Sequence, residues 1–168
     1  LETIRPDLAK YWHPTKNNRL KPKDFLPNSK ELVWWKCNKE KDHEWEETIL
    51  MTALRKKPFW CPMCNYVKIV ESNCLAKTHP DIVDQWHPTK NSNLTPYDVS
   101  ATSGQEVWWK CDKGDDHEWE SPIKTRVNRM GNCHVCRGKI ITHTNNLSKV
   151  NPEIAKQWHP TKNMELFP

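Results

Sequence analysis

Eight side chains in this sequence are spaced as metal ligands are. Cys37-x5-His43-x17-Cys61-x2-Cys64 is followed by Cys111-x5-His117-x15-Cys133-x2-Cys136. A structural zinc ion takes four sulfur or nitrogen donors in a tetrahedron, and three cysteines with one histidine are a standard set. Two short-range pairs separated by 15–17 residues let a hairpin bring one pair and a tight turn the other. A lone histidine is more often a surface or core residue, but here both stand six residues after a cysteine. The expectation is two structural Zn2+ ions, one per set. Cys74 is matched by Asn146 in the next copy and reads as a free thiol. Paired C-x-x-C motifs without an export signal read as ligands in a reducing compartment, not as disulfides. An intracellular location (cytoplasm, nucleoid or nucleus) follows as an expectation.

The ligand sets recur because the chain repeats itself. W-H-P-T-K-N occurs at 12–17, 86–91 and 158–163, V-W-W-K-C at 33–37 and 107–111, and D-H-E-W-E at 42–46 and 116–120. Residues 1–56 match 75–130 at 26 positions without a gap, after which the offset falls from 74 to 72. This predicts a first zinc-binding repeat over 1–72, a second over 73–144, and the start of a third over 145–168. The chain begins at Leu1, which points to a piece of a longer protein. His13, His87 and His159 also recur, each inside H-P-T-K-N with no cysteine nearby, and read as loop structure.

Certain elements must position these ligands. Pro6, Pro80 and Pro152 each precede an acid and an apolar pair, a helix-start signal, and Trp12, Trp86 and Trp158 would close the short helix. H-P-T-K-N and the Leu-x-Pro segment after it read as a loop ending in a turn. Residues 33–37 and 43–49 predict a β-hairpin, and 51–60 a basic loop before the C-x-x-C. The fold class is thus small zinc-stabilised α+β repeats, each a short helix, a loop, a β-hairpin and a C-x-x-C turn around one ion. Strand alternation puts Val33, Trp35, Cys37, His43 and Trp45 on the zinc side, with Trp34, Lys36, Glu44 and Glu46 facing away.

Composition supports a metal-held fold. Leu, Ile, Val and Phe supply 31 of 168 residues, a content at which chains tend towards disorder when strongly charged. Ten tryptophans add large buriable surface. Units of about 70 residues lie near the lower limit for a self-supporting core, so metal binding decides whether each folds. Six thiolates and two Zn2+ ions change the net charge from +5 to +3. No apolar run approaches the ~18 residues of a transmembrane helix, and no secretory signal pattern is present. No enzyme activity is expected: four protein ligands leave no open coordination position. The chain also lacks a Ser/His/Asp set and a phosphate-cradling Gly-rich loop. Asp42 and Glu44, flanking His43, read as supports for the ligand.

W-H-P-T-K-N, V-W-W-K-C, H-E-W and C-P-x-C in tandem resemble a zinc-ribbon or treble-clef-like domain family, over essentially the whole chain. One departure is Cys133-His134-Val135-Cys136, which lacks a counterpart of Pro62. The resemblance implies a tandem module that binds nucleic acid, DNA or RNA, and positions a larger protein on it, in some members beside a nuclease-like domain. It carries over no catalytic residues. Trp34 with Lys36, and Trp108 with Lys110, would suit stacking on unpaired bases. Arg55, Lys56, Lys57, Arg126 and Arg129, with Lys16, Lys90 and Lys162, would suit phosphates. The competing structural reading pairs Lys36 with Glu44 or Glu46 and packs Trp34 under the N-terminal helix. The alternative function is a protein-interaction or spacer array anchored by exposed tryptophans.

Overall fold

A computed structural model describes residues 1–55, 60–128, 133–163 and 165–168. The chain divides into two units, Leu1–Thr78 and His79–Pro168. In the first, helix α1 (Pro6–Ala9) starts on Pro6, which has no N–H to leave unpaired, and carries Asp7 in its first turn. Strands β1 (Leu32–Lys36) and β2 (Glu44–Thr48) pair antiparallel, with Trp35 opposite Trp45 and Lys36 opposite Glu44. Alternation sorts the faces as expected: Val33, Trp35 and Trp45 are buried and Trp34 is half-buried. The Trp35 indole donates to the Glu47 carbonyl at 3.0 Å, so its burial leaves no polar atom unpaired.

The chain leaves β2 directly into helix α2 (Ile49–Leu54), where the sequence predicts a basic loop from residue 51. The Thr48 hydroxyl caps the helix by accepting from the Met51 amide, and Ile49 and Thr52 are buried beneath it. Six residues are too few to show helical periodicity, so the cap and the two inward side chains are its whole signal. Helix α3 (Leu75–Thr78) ends the unit.

The W-H-P-T-K-N segment does more than connect. Trp12 forms an isolated bridge with Trp35, the His13 amide donates to the Trp34 carbonyl at 3.0 Å, and the Lys36 amide donates to the Tyr11 carbonyl at 2.8 Å. The buried Asn17 side chain completes this edge. Its Oδ1 accepts from the Trp34 amide at 2.7 Å and its Nδ2 donates to the Trp34 carbonyl at 2.8 Å. An amide side chain thus serves β1 as a strand backbone would.

His13 is buried, and its Nδ1 accepts from the Thr15 and Lys16 amides at 3.3 and 3.1 Å. That leaves the proton on Nε2, which lies 3.0 Å from Glu44 Oε1. His87 repeats the arrangement, with Nε2 2.9 Å from Glu118 Oε1. Both histidines are loop fasteners.

The second unit repeats the first. Helix α4 (Pro80–Val83) precedes β3 (Glu106–Lys110) and β4 (Glu118–Pro122), with Trp109 opposite Trp119. Helix α5 (Ile123–Asn128) follows. Trp86 bridges to Trp109, and Asn91 bonds the Trp108 amide and carbonyl at 2.7 and 2.9 Å. Helices α6 (Leu147–Val150) and α7 (Pro152–Ala155) lead to the third W-H-P-T-K-N. There His159 Nδ1 still accepts from the Thr161 and Lys162 amides at 3.2 and 3.0 Å. The turn therefore forms from its own residues.

Replacing Asn17 with Ala strands the Trp34 N–H of β1, while the Trp34 carbonyl keeps the His13 amide, at a cost of about 1–3 kcal/mol. The Asn17→Ala protein is expected to lose its first thermal transition at lower temperature while still binding two zinc ions. An unchanged melt shows that the edge needs no such fastener.

Candidate metal centres

Each hairpin delivers two ligands at its open end. Cys37 follows β1 and His43 precedes β2, and the Cys37 amide donates to the His43 carbonyl at 2.9 Å. The Cys111 amide makes the same bond to the His117 carbonyl, also at 2.9 Å. The other two ligands come from a tight turn. The Cys64 amide points at Cys61 Sγ at 3.4 Å, and the Asn65 and Tyr66 amides donate to the Cys61 and Met63 carbonyls. The second turn keeps this pattern through Cys136, Arg137 and Gly138 without a counterpart of Pro62. The residue that reverses the chain has positive φ in both, 56° at Tyr66 and 65° at Gly138.

The four donor atoms of each set, Cys37, His43, Cys61 and Cys64 or Cys111, His117, Cys133 and Cys136, lie within 4.8 Å of one another. A tetrahedral ion with Zn–S ~2.3 Å and Zn–N ~2.05 Å separates two sulfurs by about 3.8 Å and a sulfur from a nitrogen by about 3.6 Å. Cys37 Sγ and Cys64 Sγ are 3.8 Å apart, and His43 Nδ1 lies 3.6 and 3.4 Å from Cys61 and Cys64. In the second set the corresponding distances are 3.8, 3.8 and 3.3 Å. The residues therefore fit zinc, and Nδ1 is the histidine donor.

Burial pushes the Cys64 thiol up to about 12, and the neighbouring sulfurs push it the same way. The pocket disfavours thiolates until a dication compensates them, so loading expels protons.

The support of the ligand histidine differs in part from expectation. His43 Nε2 meets Ser72 Oγ at 3.1 Å, and Asp42 holds the Ser72 amide at 2.9 Å. Asp116 likewise accepts from the Thr144 hydroxyl and amide at 2.6 and 3.1 Å. Glu44, however, turns away from the metal side to Lys16, Lys36 and His13 at 2.6, 2.7 and 3.0 Å. Its period-2 position on β2 dictates this. Those partners, Lys16 first, hold its carboxyl at about 2, and Lys90 with His87 does the same for Glu118.

Two asparagines were not singled out by motif. Asn73 Nδ2 donates to the Met63 and Lys68 carbonyls at 2.8 and 2.9 Å, and Asn145 to those of Val135 and Ile140, both at 2.9 Å. They brace the C-x-x-C turn from behind. Their signal was identity at the offset of 72. Cys74 is buried outside both clusters, its thiol donating to the Glu71 carbonyl at 3.1 Å.

The surface candidates separate. Lys16 Nζ lies 4.3 Å from the Trp34 ring centroid, and Lys90 Nζ 4.4 Å from that of Trp108. Trp34 is thus covered by Lys16. Lys36 pairs with Glu44 as the structural reading had it, whereas Lys110 stands 3.7 Å from Glu118. Arg55 pairs with Glu47 at 2.5 Å and lies 3.6 Å over the Trp60 ring.

Arg126 is a correction: it is 3% exposed, too enclosed to meet phosphates. It donates to Gln85 Oε1 at 2.6 Å and lies 5.5 and 6.0 Å from the Trp109 and Trp119 rings. Burial lowers its affinity for a proton. Helix α5 turns position 126 inward, as α2 does the buried Thr52. Lys56, Lys57 and Arg129 lie outside the described residues.

A hairpin and a cysteine turn closing on a four-donor centre, built twice, define a tandem zinc finger. The model of a family described as a probable treble clef zinc finger domain matches residues 8–66 and 82–139, and the chain belongs to that family. No curated protein matches it. No helix among the described residues is long and apolar enough to cross a membrane.

Elemental analysis is expected to give two zinc ions per chain. Cys37→Ser should reduce this to one and unfold the first unit while leaving most of the second intact by circular dichroism. Chelation of both ions should abolish the thermal transitions; a native spectrum after complete zinc removal overturns the assignment.

Proposed function

We propose that this tandem zinc module binds nucleic acid, DNA or RNA, and positions a larger protein on it. The observation that supports this reading is a lysine-covered indole repeated in both units, Lys16 over Trp34 and Lys90 over Trp108. Each ring is half-buried and fixed in a strand, so little side-chain entropy is lost when a base stacks on it. The ammonium group, displaced from the ring, is then within reach of the backbone phosphate beside that base. Stacking of this kind contributes about 1–3 kcal/mol per base.

A second reading, protein interaction, has its own support in the first unit. Ile4, Arg5, Pro27, Leu50, Ala53 and Leu54 line an open groove, and Ile4 and Leu54 are 58% and 67% exposed. Such a groove suits an apolar side chain of a partner protein. Association that survives nuclease treatment and fails in Leu54→Glu favours this alternative.

Mobility-shift titration of the zinc-loaded chain at two salt concentrations tests the first reading. Binding should weaken as salt rises, because phosphate neutralisation releases counterions. Trp34→Ala with Trp108→Ala is expected to weaken single-strand binding about tenfold or more with zinc content unchanged. Affinity that ignores salt, or no binding at all, removes this reading.

A further inference from the structure

The two units share a scaffold and differ in charge. Leu1–Thr78 carries 15 Lys and Arg against 10 Asp and Glu, whereas His79–Pro168 carries 11 against 11. The difference is concentrated in one segment. Residues 10–30 hold six cations, Lys10, Lys16, Arg19, Lys21, Lys23 and Lys30, and one acid, Asp24. The equivalent residues 84–104 hold one cation, Lys90, and two acids, Asp84 and Asp98.

The backbone of this segment is built the same way in both units. Trp12 Nε1 donates to the Leu20 carbonyl at 3.3 Å, and Trp86 Nε1 to the Leu94 carbonyl at 3.2 Å. Asn18 and Ser92 both adopt φ of 51°. Asp24 accepts from the Lys21 amide at 3.1 Å, as Asp98 does from the Thr95 amide at 2.9 Å. Asn93, Thr95 and Tyr97 thus stand where Arg19, Lys21 and Lys23 stand, on a loop that keeps these bonds with neutral side chains, the Thr95 hydroxyl adding one to Asp98 at 2.6 Å. Folding of the loop does not require those three charges.

All six cations are exposed. Lys16 pairs with Glu44, while Arg19, Lys21, Lys23 and Lys30 make no ion pair among the described residues. Uncompensated cations on a rigid loop repel one another, which a stability argument alone gives no reason to retain. Asn17, inside the same loop, bonds the backbone of Trp34, so the cations and the stacking ring are mechanically joined.

We propose that loop 16–23 of the first unit, flanked by Lys10 and Lys30, is the phosphate-backbone grip of the module, and that the equivalent loop of the second unit is not. This rests on the nucleic-acid reading above and locates its electrostatic part. A nucleic acid fits better than an anionic lipid surface. The loop's apolar residue, Leu20, has its carbonyl tied to Trp12 and is 39% exposed, a poor membrane anchor beside an adjacent indole suited to bases.

The test uses the full zinc-loaded chain, a labelled DNA duplex, the matching single strand, and phosphatidylserine vesicles. The variant Arg19→Asn, Lys21→Thr, Lys23→Tyr transplants the side chains that the second unit already carries. A control, Lys41→Gln, Lys68→Gln, Lys77→Gln, removes three exposed cations from elsewhere in the first unit. The loop variant is expected to lose on the order of tenfold or more in affinity at moderate salt. Its log–log salt slope on duplex should flatten by about 2–3, since each lost phosphate contact contributes roughly 0.9. The control should lose less than a third of that affinity, and both should retain two zinc ions and the parental melt.

Equal losses in the two triples overturn the loop assignment and leave nucleic-acid binding standing. So does an unchanged loop variant. Failure of the parent to bind either nucleic acid removes the underlying function, and loop-dependent binding to vesicles alone overturns the choice of partner.

Discussion

Three sulfurs and one nitrogen drawn to a common centre hold each unit shut. The ligands come from the open end of a hairpin and from a turn some twenty residues later, and two of the cysteines in each set are themselves buried with the core. In the first unit the core is Leu8, Val33, Trp35, Trp45, Ile49 and Met63 packed around Cys37 and Cys61. Few other aliphatic side chains contribute. Structural zinc in small fingers binds with an apparent ~10–16 kcal/mol, as large as the whole stability of a typical domain at ~5–15 kcal/mol. The remaining architecture can therefore be slight: four- to six-residue helices and two-stranded sheets that would be marginal alone.

What the metal closes at one end, the W-H-P-T-K-N segment closes along the side. The outer edge of β1 would otherwise present its amide and carbonyl groups to water or to another chain. Tyr11, His13 and Asn17 take those groups instead, two through backbone and one through a side-chain amide. The fixed tautomer of His13 and the carboxylate of Glu44 hold the segment in place. Glu44 opens β2 and the ligand His43 immediately precedes it, the two facing opposite ways, so the start of one strand ties the metal site to the edge fastener.

The metal site was legible because ligation requires particular residue types at particular intervals, and the duplication showed which intervals both copies keep. The hairpin was legible through alternation, since Trp35 and Trp45 had to share a face with Cys37 and His43. Helix α2 was not: its six residues include Leu50, Met51 and Leu54, which fit a loop as well as a helix until the Thr48 cap and the inward Ile49 and Thr52 are placed. The bracing asparagines escaped because a side chain that bonds backbone leaves no periodic trace. Arg126 misled for the opposite reason. Charge predicts exposure in most contexts, and only the packing of Trp109 and Trp119 around a helical position turns a guanidinium inward.

Comparing the two units separates what the scaffold needs from what it carries. Lys16 and Lys90 occupy the same place, and each has its charge already matched by a glutamate. Their presence in both copies is thus accounted for by the fastener, with the indole contact an added feature of the same geometry. Counting three thiolates and one Zn2+ per unit takes the first from +5 to +4 and the second from 0 to −1. The overall +3 is therefore the sum of two unlike units. The excess of cations therefore lies in the first unit, even though the two folds are alike.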